Sequence, residues 1–400
     1  MDRGRRQLAT LAGVSALWQL IPANLRSIVP SVHAASPEEA TSAVIGQGGP
    51  RVADDRSPLL PEQDFAACEQ AVDRALMWLV RQQNRRGGFH VLRGSVEPAV
   101  TCLATTAMLA RGHQPGRGEL GRSIERAIDY VLSGQHEDGM FSFERPEPSY
   151  VTHGASHNVN YNQGIAGLLL CEVYGMTTPE RDNQIKKAIQ KGLDYCIQAQ
   201  SRLPSHDGSW GYDPPNDDVH VTDLSVVSWN LMFLRGAKNI GFDVPADVVA
   251  RTMDYVERSY LPEDGGFRYH VFEPKSTQSM SAVGIVMLSL GGKRTSEMIA
   301  SAAKHASSAA WPFSDNIEGA MASGAVEYQA YYMALAALHL GEPYWSRMFP
   351  PIMNILLQTQ RADGSWPDGD DGSMLSSVYS VAMYTLTLAV PLQLLPIYQP

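Results

Sequence analysis

From Phe65 onward the chain alternates between two kinds of apolar pattern. In the first, Phe65, Cys68, Val72, Ala75, Leu76, Leu79 and Val80 recur at helical spacing beside Glu69, Asp73, Arg74 and Arg81, so the predicted helix has one wet face. In the second, Pro98-Ala-Val-Thr-Cys-Leu-Ala-Thr-Thr-Ala-Met-Leu-Ala110, no polar face of comparable strength exists, and such a helix must be covered on both sides. The alternation persists. Further wet-faced helices are predicted at 121–134, 180–199, 246–259, 295–310 and 344–359, and they carry most of the helical charge. Further buried helices are predicted at 160–174, 222–235, 277–290, 325–340 and 374–390, filled with Ala, Ser, Thr, Met and aromatics. Twelve helices in six pairs result.

The links between them differ in kind. Buried-to-wet links are short: in Tyr174-Gly-Met-Thr-Thr-Pro-Glu180 a Gly ends one helix, Thr178 caps the next and Pro179 opens it. Wet-to-buried links are long, and their first halves repeat. Gln82-Gln-Asn-Arg-Arg-Gly-Gly-Phe89, Gln135-His-Glu-Asp-Gly-Met-Phe141, Gln200-Ser-Arg-Leu-Pro-Ser-His-Asp-Gly-Ser-Trp210, Leu261-Pro-Glu-Asp-Gly-Gly-Phe267 and Gln358-Thr-Gln-Arg-Ala-Asp-Gly-Ser-Trp366 each run from a helix end through a polar turn and Gly to an aromatic. The 99-residue step from Phe267 to Trp366 has room for a further copy without the signature. Repeats of this length mean stacked supersecondary units. An open stack would expose both end pairs, so the expected fold is all-α: a single α6/α6 toroid of six outer/inner helix hairpins over residues 64–400.

Composition changes this picture little. A 400-residue chain that is 44% hydrophobic supports so large a core, and a formal charge of −10 argues against nucleic acid as a partner. The N-terminus adds more. Met1-Asp-Arg-Gly-Arg-Arg6, a modest apolar run and Ser31-Val-His-Ala34 read as a twin-arginine-like signal peptide over 1–34, followed by a Pro-, Gly-, Ser- and Asp-rich linker over 35–63. Pro22 and Arg26 break the apolar run, so no transmembrane segment is expected, and the expected location is periplasmic or extracellular. Export permits disulfides. Cys102 and Cys171, on neighbouring buried helices, are the pair to test, against the reading that all four cysteines are small buried hydrophobes.

With its Gln-to-aromatic turns, the chain resembles the terpenoid-cyclase and protein-prenyltransferase superfamily. It looks most like exported bacterial proteins with squalene-cyclase or prenyltransferase repeats, a likeness also carried by Tyr161-Asn-Gln-Gly164 and Glu327-Tyr-Gln-Ala-Tyr-Tyr332. The resemblance implies the toroid and an isoprenoid-like substrate. Prenyltransferases of this kind hold zinc with an Asp, a Cys and a His from successive repeats, and no cysteine here lies in such a loop, so that activity is not expected. Squalene cyclases use an Asp-x-Asp-Asp acid, which Asp368-Gly-Asp-Asp371 matches; those enzymes have two toroids, and this chain supplies one. The resemblance makes Asp370 the proton donor, with Asp368 and Asp371 raising its pKa.

The same acidic stretch also suits turn and N-cap chemistry or a Ca²⁺ loop, and Asn216-Asp-Asp-Val-His-Val-Thr-Asp223 before another buried helix favours capping. The long links collect seven histidines, including His157 and His220, together with many acids; in a toroid they share one rim, which makes that rim the candidate functional face. His153 and His157 have i, i+4 metal spacing, but Gly154 and Ser156 favour a loop, so neither metal nor another cofactor is expected. Tyr161, Trp229, Tyr328, Tyr331, Tyr332 and Tyr379 on the buried helices either line a central cavity or pack between helices. Two functions stay open: acid-catalysed chemistry on an apolar, isoprenoid-like molecule, and non-catalytic binding of a protein or glycan at the rim. Polysaccharide cleavage is a third class, for which no base-plus-Arg arrangement is visible.

Overall fold

The computed structural model describes residues 59–89, 98–143, 159–212, 222–308, 326–367 and 377–398, all within one compact unit, 58–400. Twelve α-helices lie among them. Six are wet-faced: α1 (Glu62–Gln82), α3 (Gly118–Ser133), α5 (Pro179–Ala199), α7 (Ala246–Arg258), α9 (Glu297–Ala306) and α11 (Tyr344–Thr359). Six are buried: α2 (Pro98–Ala110), α4 (Val159–Val173), α6 (Leu224–Asn239), α8 (Gln278–Leu290), α10 (Val326–Leu340) and α12 (Ser377–Ala389). The contrast follows from sequence. Every residue of α2 is buried, whereas α3 buries Ile124, Ala127, Ile128 and Val131 along one stripe and leaves Arg122 and Asp129 in water.

Packing order closes a ring. The buried helices touch in the sequence α2, α4, α6, α8, α10, α12, and α12 returns to pack on α2. Each runs the same way, because first turns meet first turns: the Ala99 amide of α2 donates to Asn162 of α4, and Ser380 of α12 donates to Glu327 of α10. The outer helices back this ring with an offset. α3, α5, α9 and α11 each lie chiefly on the inner helix that precedes them, α7 bridges α6 and α8, and α1, which has no predecessor, lies on α12. The tight hairpin is therefore inner-then-outer across the short link, and the last pair is completed by the first helix of the chain.

The repeated turns are what join neighbouring outer helices. Gln83, Gln135, Gln200 and Gln360 each send their side-chain amide to a carbonyl inside their own turn (Gly87, Gly139, Gly208, Gly364) and to a carbonyl of the next outer helix (Ser123, Ala188, Val248, Ala71). The last of these runs from α11 to α1, so the clasp also closes the outer layer. Glycine is required at the crossing. Gly364 sits at φ 96°, and a side chain there would begin 2.2 Å from the Arg74 carbonyl oxygen; Gly208, at φ 88°, would meet the Arg251 carbonyl at 2.0 Å. The aromatics Phe89, Phe141, Trp210, Phe267 and Trp366 fill the space beneath and are fully buried, and the two indoles donate to the helix-end carbonyls of Cys196 and Leu356.

After α12 the chain crosses the short-link opening of the ring. Two 3₁₀ turns, Val390–Leu392 and Pro396–Tyr398, pack on α10 and α6, and Leu394 lies against Gly112 at the end of α2. Tyr398 is buried with its ring 6.3 Å from that of Tyr331. The Ile397 amide donates to Glu172 near the end of α4, whose carboxyl burial pushes up to about 7. All four cysteines are free and buried, which replaces the Cys102–Cys171 bridge with small-hydrophobe packing.

Candidate functional site

With the short-link side covered, the long-link mouth is where inner-helix first turns converge. Depth there follows position in the helix. Tyr161, Tyr328 and Tyr379 are each the third residue of their helices and remain partly exposed; Trp229, Tyr331 and Tyr332, one turn deeper, are buried. The deeper rings close the bore: Trp229 of α6 stacks on Tyr331 of α10 at 5.9 Å and 7°, and the Ser228 hydroxyl meets that of Tyr332 at 2.7 Å, although α8 separates these two helices around the ring. The expected aromatic lining thus divides, among the described residues, into a packed plug and, above it, a half-buried layer of tyrosines, the cup.

One side of the cup is built around Asp223. It caps α6: Oδ1 accepts the Ser225 amide at 2.6 Å and the Ser225 hydroxyl at 2.7 Å. Oδ2 accepts the Tyr212 hydroxyl, which also meets the Tyr269 hydroxyl, and Tyr161 of α4 joins through a hydrogen bond to Ser225. The loop bearing Tyr269 is docked here, since its carbonyl accepts the Leu224 amide at 2.9 Å. Burial raises the Asp223 pKa above the ordinary carboxylate value, while hydrogen bonds from Tyr212, Tyr269 and Ser225 hold it back. Burial likewise pushes the Tyr161 and Tyr328 hydroxyls well above 10, so they remain hydrogen-bond donors at any physiological pH.

A second buried carboxyl, Glu327, opens α10. Its Oε1 accepts the Ser380 hydroxyl at 2.6 Å, its Oε2 has no partner among the described residues, and burial raises its pKa. Asp368, Asp370 and Asp371, with His157 and His220, lie outside the described residues. No group of three or more His, Cys, Asp or Glu among the described residues could hold a metal ion, and no described helix is long and apolar enough to cross a membrane. The sequence shows Asp223 as one of the capping acids and Glu327 as part of the repeat-protein stretch 327–332, and it does not single out Tyr212 or Tyr269. The available signal was two tyrosines in long links, each a few residues beyond a Gly-aromatic turn.

No protein-family model and no curated protein matches this sequence. Solved structures do. The α-1,6-mannanase GH76A of Salegentibacter sp. HEL1_6, seen as an inactive variant in complex with α-1,6-mannotriose, superposes with a TM-score of 0.57 at 15% identity over 81% of this chain and 99% of that one. The type II terpene cyclase MstE from Scytonema, seen as a variant with geranylgeranyl dihydroxybenzoate, superposes with a TM-score of 0.53 at 13% identity over 84% and 100%. Identities this low speak for architecture alone. The chain is an α/α toroid.

Proposed function

We propose that this toroid binds a glycan-type ligand, a molecule of hydroxylated rings, in the cup at its long-link mouth. The observation that carries the reading is the Asp223 network. Its oxygens are occupied by Ser225 and Tyr212, so the carboxyl organises hydroxyl groups rather than standing free as an acid or nucleophile. Those hydroxyls, on aromatic rings at the mouth, offer what a sugar needs: faces for its C–H side and acceptor lone pairs for its own hydroxyls. The mannanase neighbour's glycan is consistent with such a ligand.

A second reading, an apolar isoprenoid handled by acid chemistry at Asp370, is favoured by the aromatic plug of Trp229, Tyr331 and Tyr332 and by the cyclase neighbour. Calorimetric titration of the purified chain with α-1,6-mannotriose and mannotetraose, and separately with a soluble geranylgeranyl derivative, separates the two. Saccharide binding that Tyr212→Phe and Tyr161→Phe weaken supports the glycan cup; binding of the isoprenoid alone ends it. We further infer export through the 1–34 signal and a toroid domain from residue 64. Sequencing the N-terminus of protein from the cell envelope should give Ala35, and an intact Met1 in cytoplasm would remove that inference.

A further inference from the structure

Aromatic rings do not stop at the cup. From Tyr161 the spacing runs 5.5 Å to Tyr212, whose hydroxyl meets Tyr269; from Tyr269 it runs 6.3 Å to His270, 6.5 Å on to Phe272 and 5.5 Å to His206. Each step lies within the range of interacting ring pairs. Every ring of the track except Phe272 is half-buried. Tyr161 is half-buried above the plug, whereas Phe272 is 65% exposed, the most exposed large hydrophobic side chain among the described residues. A single exposed Phe on a surface carries no meaning. This one sits on a path that passes beside the buried Asp223 carboxyl, and it is the exposed ring of that path.

The loop that presents it is held in shape before any ligand arrives. Asp264 accepts the Ser276 amide at 2.8 Å and its hydroxyl at 3.1 Å, closing the base; His270 pairs with Glu273 at 3.0 Å within the loop; and Tyr269 is fixed to the start of α6. A platform fixed in this way loses little freedom on binding.

We infer that the track from Tyr269 to Phe272 is an outer subsite, and that the ligand is a chain of sugar rings longer than the cup, with its outward end lying on Phe272. This rests on the glycan reading of the cup. A monomeric ligand would have no use for a rigid aromatic path leading outward, while an oligomer gains one more ring contact for each added unit.

The test is affinity against ligand length. The parent and Phe272→Ala are titrated with the α-1,6-linked mannose series from disaccharide to hexasaccharide, with circular dichroism as the folding control. The expected result is equal affinity for the disaccharide and a loss of about tenfold for the hexasaccharide in the variant, the size of one aromatic contact. If the parent binds the series and the variant tracks it at every length, or falls equally at every length, the subsite is wrong and the cup stands. If the parent binds none of the series, the glycan reading falls and the subsite with it.

Discussion

Gly364→Ala adds one methyl group where the ring closes. At φ 96° a non-glycine residue costs roughly 1–2 kcal/mol in backbone strain. The added carbon would also lie 2.2 Å from the Arg74 carbonyl oxygen, 2.6 Å from its carbon and 3.1 Å from the Ala75 nitrogen. These are backbone atoms of α1, so no rotamer relieves the clash and the helix has to retreat, at about 1–3 kcal/mol for an overpacked site. Retreat lengthens the 2.8 Å bond from Gln360 to the Ala71 carbonyl as well. The total is about 2–5 kcal/mol. Gly175→Ala isolates the first contribution, because Gly175 has φ 85° and nothing within 4 Å of the added carbon, so only about 1–2 kcal/mol is expected there. In a unit of this length, about 2.1 cal/mol/K per residue makes each kcal/mol worth ~1.5 °C. Thermal and urea melts followed by circular dichroism should rank Gly364→Ala clearly below Gly175→Ala. Equal losses in the two variants would refute the claim that close approach at the seam, rather than glycine's conformation, is what the position requires.

Trp210→Ala should cost roughly 3–5 kcal/mol, the range for deleting a large buried aromatic, and a melt matching the parent would remove its role between helices. Trp366→Phe should cost about 2–3 kcal/mol, less than an Ala substitution because Phe serves at positions 89, 141 and 267, from the lost bond to the Leu356 carbonyl and the space the smaller ring leaves. Glu172 has a folded pKa of about 7, above its unfolded value, so the folded state holds the proton more tightly and loses stability as pH rises through that window. Glu172→Gln should therefore match the parent near pH 4 and exceed it by ~3 kcal/mol near pH 8, and urea midpoints that stay parallel across that range would contradict this. For Asp370, a carbon-detected titration with Asp370→Asn as the assignment control decides between a raised pKa, as an acid requires, and one at or below the free value of ~3.9, as a capping Asp requires.

Much of the architecture was readable from residues alone, because burial leaves a period in the sequence. Ile124, Ala127, Ile128 and Val131 announce a one-sided helix, and the unbroken run from Pro98 to Ala110 announces a two-sided one. That period states how much of a helix is covered but not by which partner, so the inner-then-outer offset and the docking of α1 on α12 were not legible. The turn glutamines were visible as a repeat, yet their task, bonding carbonyls of the next outer helix, depends on backbone groups that carry no sequence signal. The site was harder still. Asp223 reads as one more acid before a helix; its network exists because Tyr212 and Tyr269, 57 residues apart, arrive from separate links. The covering of the short-link opening was also missed, since residues 390–398 follow no regular α-helical period, and the role of that segment shows in the burial of Leu395, Ile397 and Tyr398, the last against Tyr331.

The pairing of α1 with α12 has a consequence for how the protein is made. Arg74 and Gln360, bonded at the seam, are 286 residues apart, so the ribosome delivers one partner long before the other. Throughout that interval α1 can form but lacks α12, its principal cover, for the face that carries Cys68, Val72, Ala75, Leu76 and Leu79, all buried at the end. Inner helices after the first find a neighbour as soon as they emerge, so assembly can proceed step by step until the final helix appears. Cooperative locking must therefore come late, with high contact order concentrated in one joint. A chain stalled before Ser377 would be left as an open arc with two sticky ends, and a second such arc would be its natural partner.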